Sequence, residues 1–142
     1  MQLWHQALAA VKPPKHLLVP LSGNADEKRM LRPQALLGDS LPRTAVIREL
    51  LTLLPTSHQN VGCISKTLSV AVNNRVFSDC AVDVLVVPGI DITAEDLESS
   101  NERGRSTVVE SAVAMVHDRK GTKPVQELAR EFIRVTKESR KE

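Results

Sequence analysis

Residues 31–55 read LRPQALLGDSLPRTAVIRELLTLLP, and this stretch decides the fold. Val46, Ile47, Leu50, Leu51, Leu53 and Leu54 recur at three- and four-residue steps, the spacing of one broad helical face, until Pro55 stops them. Gly38, Asp39 and Pro42 stand inside the same apolar stretch. A proline within a helix removes one hydrogen bond and clashes with the preceding turn, costing about 3 kcal/mol or more, so the helix is expected to kink or restart at Pro42. On that reading Asp39 or Ser40 caps the restarted helix, which accepts proline in its first turn.

Downstream the same periodicity repeats. After a turn at 56–62, Ile64, Leu68 and Val72 lie four apart, and Asn73-Asn74 ends one helix and can cap the next. Val76, Phe77, Cys80, Ala81 and Val84 step by three and four until Pro88-Gly89, and 91–105 reads as a loop or a short helical piece. Val108, Val109, Ala112, Val113 and Val116 share one face of a helix that Gly121 terminates. Pro124 suits the first turn of a last helix whose inner stripe is Val125, Leu128, Ala129, Phe132 and Ile133. Upstream, Pro13-Pro14 and Pro20 break the opening into a short helix and an extended arm that lies outside the core. The expectation is an all-α domain of five or more amphipathic helices over 31–138, preceded by an arm at 1–30 and followed by a basic tail at 139–142. No segment requires a strand, although 82–87 (VDVLVV) has extended propensity.

Composition narrows the functions. A chain of 142 residues with 42% apolar and 25% charged residues has an ordinary globular balance. Aromatics are 2%, with no tyrosine, which disfavours domains that bind nucleic acid by stacking bases on exposed rings. Cys63 and Cys80 are too few for a disulfide scaffold or a zinc site and are expected to be buried free thiols. No apolar run approaches the roughly 20 residues of a membrane span. The net charge of +2 is unevenly spread: residues 119–142 carry eight Lys/Arg against four Asp/Glu, while 1–118 carry eleven against thirteen. That terminal excess is either a phosphate-contacting surface or a solvated face of mixed charge. The first 25 residues contain no acid and include Lys12 and Lys15, a trait of mitochondrial presequences, without their usual arginines.

Leu37-Gly38-Asp39-Ser40 followed by a long helix, then 61–82 (VGCISKTLSVAVNNRVFSDCAV), then 106–118 (STVVESAVAMVHD) and a final helix, resembles in order and spacing the ribonuclease III catalytic domain, from about Arg32 to Lys137. The resemblance implies an all-helical domain that pairs with a like or unlike partner. It also implies a family chemistry of double-stranded RNA hydrolysis by metal-activated water. Mg²⁺ needs several oxygen ligands in near-octahedral geometry, so acids on the signature helix must face acids on the late helix. Asp39 resembles the last acid of the signature, Gly38 would let the facing helix come close, and Glu110 falls at the first acid position of the late helix. The sequence departs from the pattern elsewhere. Arg32 and Ala35 stand seven and four residues before Asp39, Val113 three after Glu110, and Val61 before Gly62, all at places where the family carries carboxylates. None of these four can ligate magnesium.

The resulting expectation is a non-catalytic relative, in which Asp39 and Glu110 are vestigial. Such a protein would be an RNA-contacting, protein-binding structural subunit of a mitochondrial ribonucleoprotein, with the large ribosomal subunit favoured over an RNA-editing complex. It would hold no cofactor or metal. Its partners would be structured RNA, a like or unlike copy of the fold and other particle subunits, with no membrane. RNA contacts are expected at Lys120, Lys123, Arg130, Arg134, Lys137, Arg140 and Lys141, with alternate turns of the last helix facing the core. Partner contacts, by family resemblance, are expected at Leu36, Leu37, Val46 and Leu50, whose other reading is intradomain core. The alternative is an active Mg²⁺-dependent double-stranded RNA endonuclease, either of the compact Mini-III type or completed by a partner. His117, seven residues after Glu110, reads as a surface or hydrogen-bonded residue rather than a ligand.

Overall fold

The computed structural model describes residues 1–13, 25–53 and 60–141, and the side chains among them except at 25–37, 39 and 138–141. The described residues form seven helices and no strand: α1 (Gln2–Val11), α2 (Ala25–Leu53), α3 (Val61–Ala71), α4 (Asn74–Leu85), α5 (Ala94–Glu98), α6 (Glu102–Lys120) and α7 (Thr122–Lys141). The all-α expectation is met. None of these helices is long and apolar enough to cross a membrane.

The helix starts follow from local chemistry. Asn60 accepts from the Cys63 amide, Asn73 from Val76 and Asn101 from Gly104, each satisfying a donor that the first turn of a helix leaves open. Thr93 and Asp96 form a reciprocal capping box that holds the five-residue α5. Gly121, at φ 82°, ends α6 where a side chain would be strained, and its amide returns to the His117 carbonyl.

α6 is the central element. Its residues 111–116 are buried in an unbroken run, so it is covered on all sides, with α2 and α4 making the most extensive contacts. Phe77 of α4 and Phe132 of α7 meet at a ring separation of 5.1 Å. An arginine staples the α4–α5–α6 corner: Arg105 donates to Ser78 Oγ (2.7 Å) and to the carbonyls of Leu97 and Ser100.

Two expectations about boundaries need correction. The opening segment is not an arm outside the domain, because α1 lies in the core. Trp4 and Leu8 are fully buried, the Trp4 indole donates to the Val84 carbonyl (2.9 Å), and its backbone amide donates to Glu127 (3.0 Å). A ten-residue helix becomes stable by burying its apolar face on neighbours. Nor does the second helix restart near Pro42, so neither Asp39 nor Ser40 is an N-cap. α2 is assigned as one 29-residue helix through Pro33 and Pro42, and Pro42 is buried. Packing against α6 and α7 outweighs the proline penalty. The expectation of two buried thiols holds for Cys80; Cys63 is exposed.

Candidate functional site

Two regions bear on the functional expectations: the crossing of α2 with α6, and the outer face of α7.

At the crossing, Gly38 lies directly on the backbone of Glu110. A β-carbon built there would be 1.7 Å from the Glu110 carbonyl oxygen and 2.9 Å from its α-carbon, so only hydrogen fits between the helices. The close approach expected of Gly38 is therefore present, at the residue expected to carry the facing acid. The Glu110 side chain is half-buried. Ser106, one turn earlier on α6, places its hydroxyl 3.2 Å from Glu110 Oε1 and 2.9 Å from Asn74 Oδ1, so its single proton serves one or both acceptors. Val113, at the family's second acid position on this helix, is fully buried hydrocarbon. Val61, at the position before Gly62, is 82% exposed at the start of α3.

The described side chains do not fit magnesium. The ion needs several hard oxygens held together. Here the described residues offer one carboxylate at the crossing, already engaged with a serine, and they include no group of three or more His, Cys, Asp or Glu able to hold a metal. The Asp39 side chain, like those of Arg32 and Ala35, lies outside the described residues.

The outer face of α7 departs from expectation in a useful way. Lys123, Arg130, Arg134 and Lys137 are all exposed, whereas Val125, Leu128, Ala129, Phe132, Ile133 and Thr136 are buried. The basic residues follow one another at seven, four and three residues, which is itself the spacing of a single helix face. They do not alternate with the core, as expected from sequence; they form one solvent-facing row spanning about 21 Å at 1.5 Å per residue. Lys120, at the end of α6, is exposed as well. Arg140 and Lys141 continue the helix, but their side chains lie outside the described residues.

Half of this row is internally compensated. Arg130 pairs with Glu49 of α2 (3.1 Å), and Arg134 pairs with Glu131. Hydrogen bonds from Arg134 hold the Glu131 carboxyl below its ordinary pKa. Glu49 is nearly buried and also accepts from Gln126 Nε2 (2.8 Å), which donates in addition to the Ala45 carbonyl (2.7 Å). Lys123 and Lys137 make no ion pair among the described residues.

The partner-surface expectation fails at two of its four residues. Val46 (0% exposed) and Leu50 (2%) are intradomain core, because α2 turns that side toward α6 and α7. The Leu36 and Leu37 side chains lie outside the described residues. The exposed apolar side chains nearby are instead Leu51 and Leu53 at the end of α2 and Val61 at the start of α3.

All three aromatic side chains of the chain, Trp4, Phe77 and Phe132, are fully buried. No Trp, Tyr or Phe ring is available to stack on a base. The chain matches no known family model, no curated protein and no solved structure.

Proposed function

We propose that the chain is a non-catalytic ribonuclease III-like domain that contacts RNA through its phosphates and serves as a structural, protein-binding subunit of a mitochondrial ribonucleoprotein, with the large ribosomal subunit preferred over an RNA-editing complex. The observation that carries this reading is the α2–α6 crossing. The glycine of the Leu-Gly-Asp-Ser signature meets the backbone of the residue that aligns with a catalytic acid, while the next acid position, Val113, is buried hydrocarbon. A scaffold that keeps the approach of two helices with Val113 in place of a carboxylate supports a role in assembly.

The RNA part of the reading is supported by the row on α7 and by the burial of Trp4, Phe77 and Phe132. Exposed Lys and Arg without aromatic platforms favour contacts to phosphate and sugar, which fix position without reading sequence. Pull-down of the tagged protein from mitochondria, followed by sizing of the bound RNA, tests the assignment. Large-subunit ribosomal RNA is expected; short guide-like RNAs would move the protein to an editing complex, and the absence of RNA would overturn the reading. Incubation of the purified chain with structured RNA and Mg²⁺ is expected to give no cleavage. Cleavage abolished by Asp39→Asn or Glu110→Gln would establish the endonuclease instead.

A further inference from the structure

Beside the start of α7 lies a small cleft, ≈ 110 Å³, between α2, the end of α6 and the first turn of α7. Thr44 and Arg48 line it from α2, His117 from α6, and Thr122 and Gln126 from α7, with Leu41, Ala45 and Val125 as its apolar lining. We propose that this cleft seats one phosphodiester of an RNA backbone, with Arg48 as the gripping group, so that the basic row on α7 begins from a shaped anchor. The proposal rests on the RNA-contacting reading and adds to it a site that charge along the last helix does not indicate.

Five features favour a phosphate. Arg48 is exposed at the cleft and makes no ion pair among the described residues, so its fork of donors is open to an oxyanion. The nearest acid in sequence, Glu49, is occupied by Arg130 and Gln126. The shape is preset, because the Gln126 amide ties α7 to α2 through the Ala45 carbonyl. The Thr122 hydroxyl and the His117 ring add further polar groups, and neither makes a side-chain hydrogen bond within the described chain. The size is also selective, since the pockets that enclose drug-sized ligands run to about 300 Å³ or more and this one admits only a small group.

The surroundings point to a polyanion rather than a free oxyanion. Lys120 and Lys123 flank Thr122 in sequence, and Lys123 starts the row that continues through Arg130, Arg134 and Lys137. A strand that places one phosphate in the cleft can follow that row with the next ones. Thr44 donates its own proton to the Ser40 carbonyl (3.1 Å), so it shapes the rim and leaves the gripping to Arg48.

Fluorescence anisotropy with a labelled RNA duplex, read across a salt series, tests the site in the full chain. Arg48→Gln is expected to weaken binding about tenfold or more, the worth of one charge-assisted hydrogen bond. The same change should lower the slope of log affinity against log salt by nearly one. Arg48→Lys is expected to keep the slope and lose part of the affinity, because it keeps the charge and loses the fork. If the unaltered chain binds and Lys137→Ala weakens it while Arg48→Gln does not, the cleft assignment is wrong and the RNA reading stands. If the unaltered chain shows no salt-dependent binding, the RNA reading falls and the cleft assignment falls with it. If polyglutamate binds as tightly and with the same dependence on Arg48, the site serves acidic protein and the phosphate assignment is overturned. Arg48 is exposed, so the variants should keep the helical circular dichroism of the parent.

Discussion

The α2–α6 crossing and the outer face of α7 are built on opposite terms. At the crossing, Gly38 touches the Glu110 backbone and everything on α6 from Ser111 to Val116 is buried. Along α7, four basic side chains stand in solvent, and two of them pair with glutamates. Position and stability therefore reside in the first region and adaptable charge in the second. Substitutions should separate accordingly: at the crossing they should unfold the protein, and on the row they should alter only what it binds.

The sharpest way to break this division is Gly38→Ala. A methyl group 1.7 Å from a carbonyl oxygen forces the two helices apart, and overpacking of this kind typically costs about 1–3 kcal/mol, with backbone overlap at or beyond the upper end. Urea denaturation should show it as a large drop in midpoint; a change under about 1 kcal/mol would mean that α2 slides freely on α6. Next in size is Glu49→Gln, which links the two regions. It removes the charge that holds Arg130, weakens a nearly buried bond to Gln126, and should cost about 1–2 kcal/mol in the same assay. Lys123→Ala with Lys137→Ala should leave stability within about 0.5 kcal/mol, as expected for exposed positions. Together they should reduce the salt slope of RNA binding by nearly two.

The smallest effect is a contrast between the cysteines. Cys63 should react with a thiol reagent in the folded protein and Cys80 only on unfolding. Burial, reinforced by Asp83, Glu131 and Asp79, pushes the Cys80 thiol up to about 11. The folded value is thus raised, which means that the protonated native form is favoured. Its contribution is fully present below the ordinary thiol value of 9.0 and is lost as pH rises toward about 11. Denaturation midpoints measured across that window should fall, and Cys80→Ala should flatten the fall.

Much of the helical plan was legible in the chain because it is written locally. Asn73, Gly121 and Pro124 stand where caps and first turns need them, and the inner stripe of α7 was named correctly residue by residue. The failures share a cause, which is that tertiary packing overrode a local signal. Pro42 suggested a restart, yet the surrounding contacts carry α2 through it. Pro13-Pro14 marked the opening as peripheral, yet Trp4 finds the Val84 carbonyl across the fold. The single face of the basic row is also written in the chain: Lys123, Arg130, Arg134 and Lys137 keep the spacing usually sought among apolar residues. The cleft at Arg48 was not readable, because it joins side chains 74 positions apart in the chain, from Arg48 to Thr122. For the site itself, Gly38 and Glu110 both stand out in the sequence, but nothing in one dimension places them in contact.

The hydrogen at Gly38 also fixes how the longest helix can move. A one-residue screw displacement of α2 would bring a β-carbon against the Glu110 carbonyl, so that register slip is sterically barred. Thr44, Ala45 and Arg48 lie on the same rod as this pin, one to three turns further along. Their depth relative to the end of α6 is thereby set from the middle of the helix, and the spacing between them and His117 is inherited from a residue that lines neither side of the cleft.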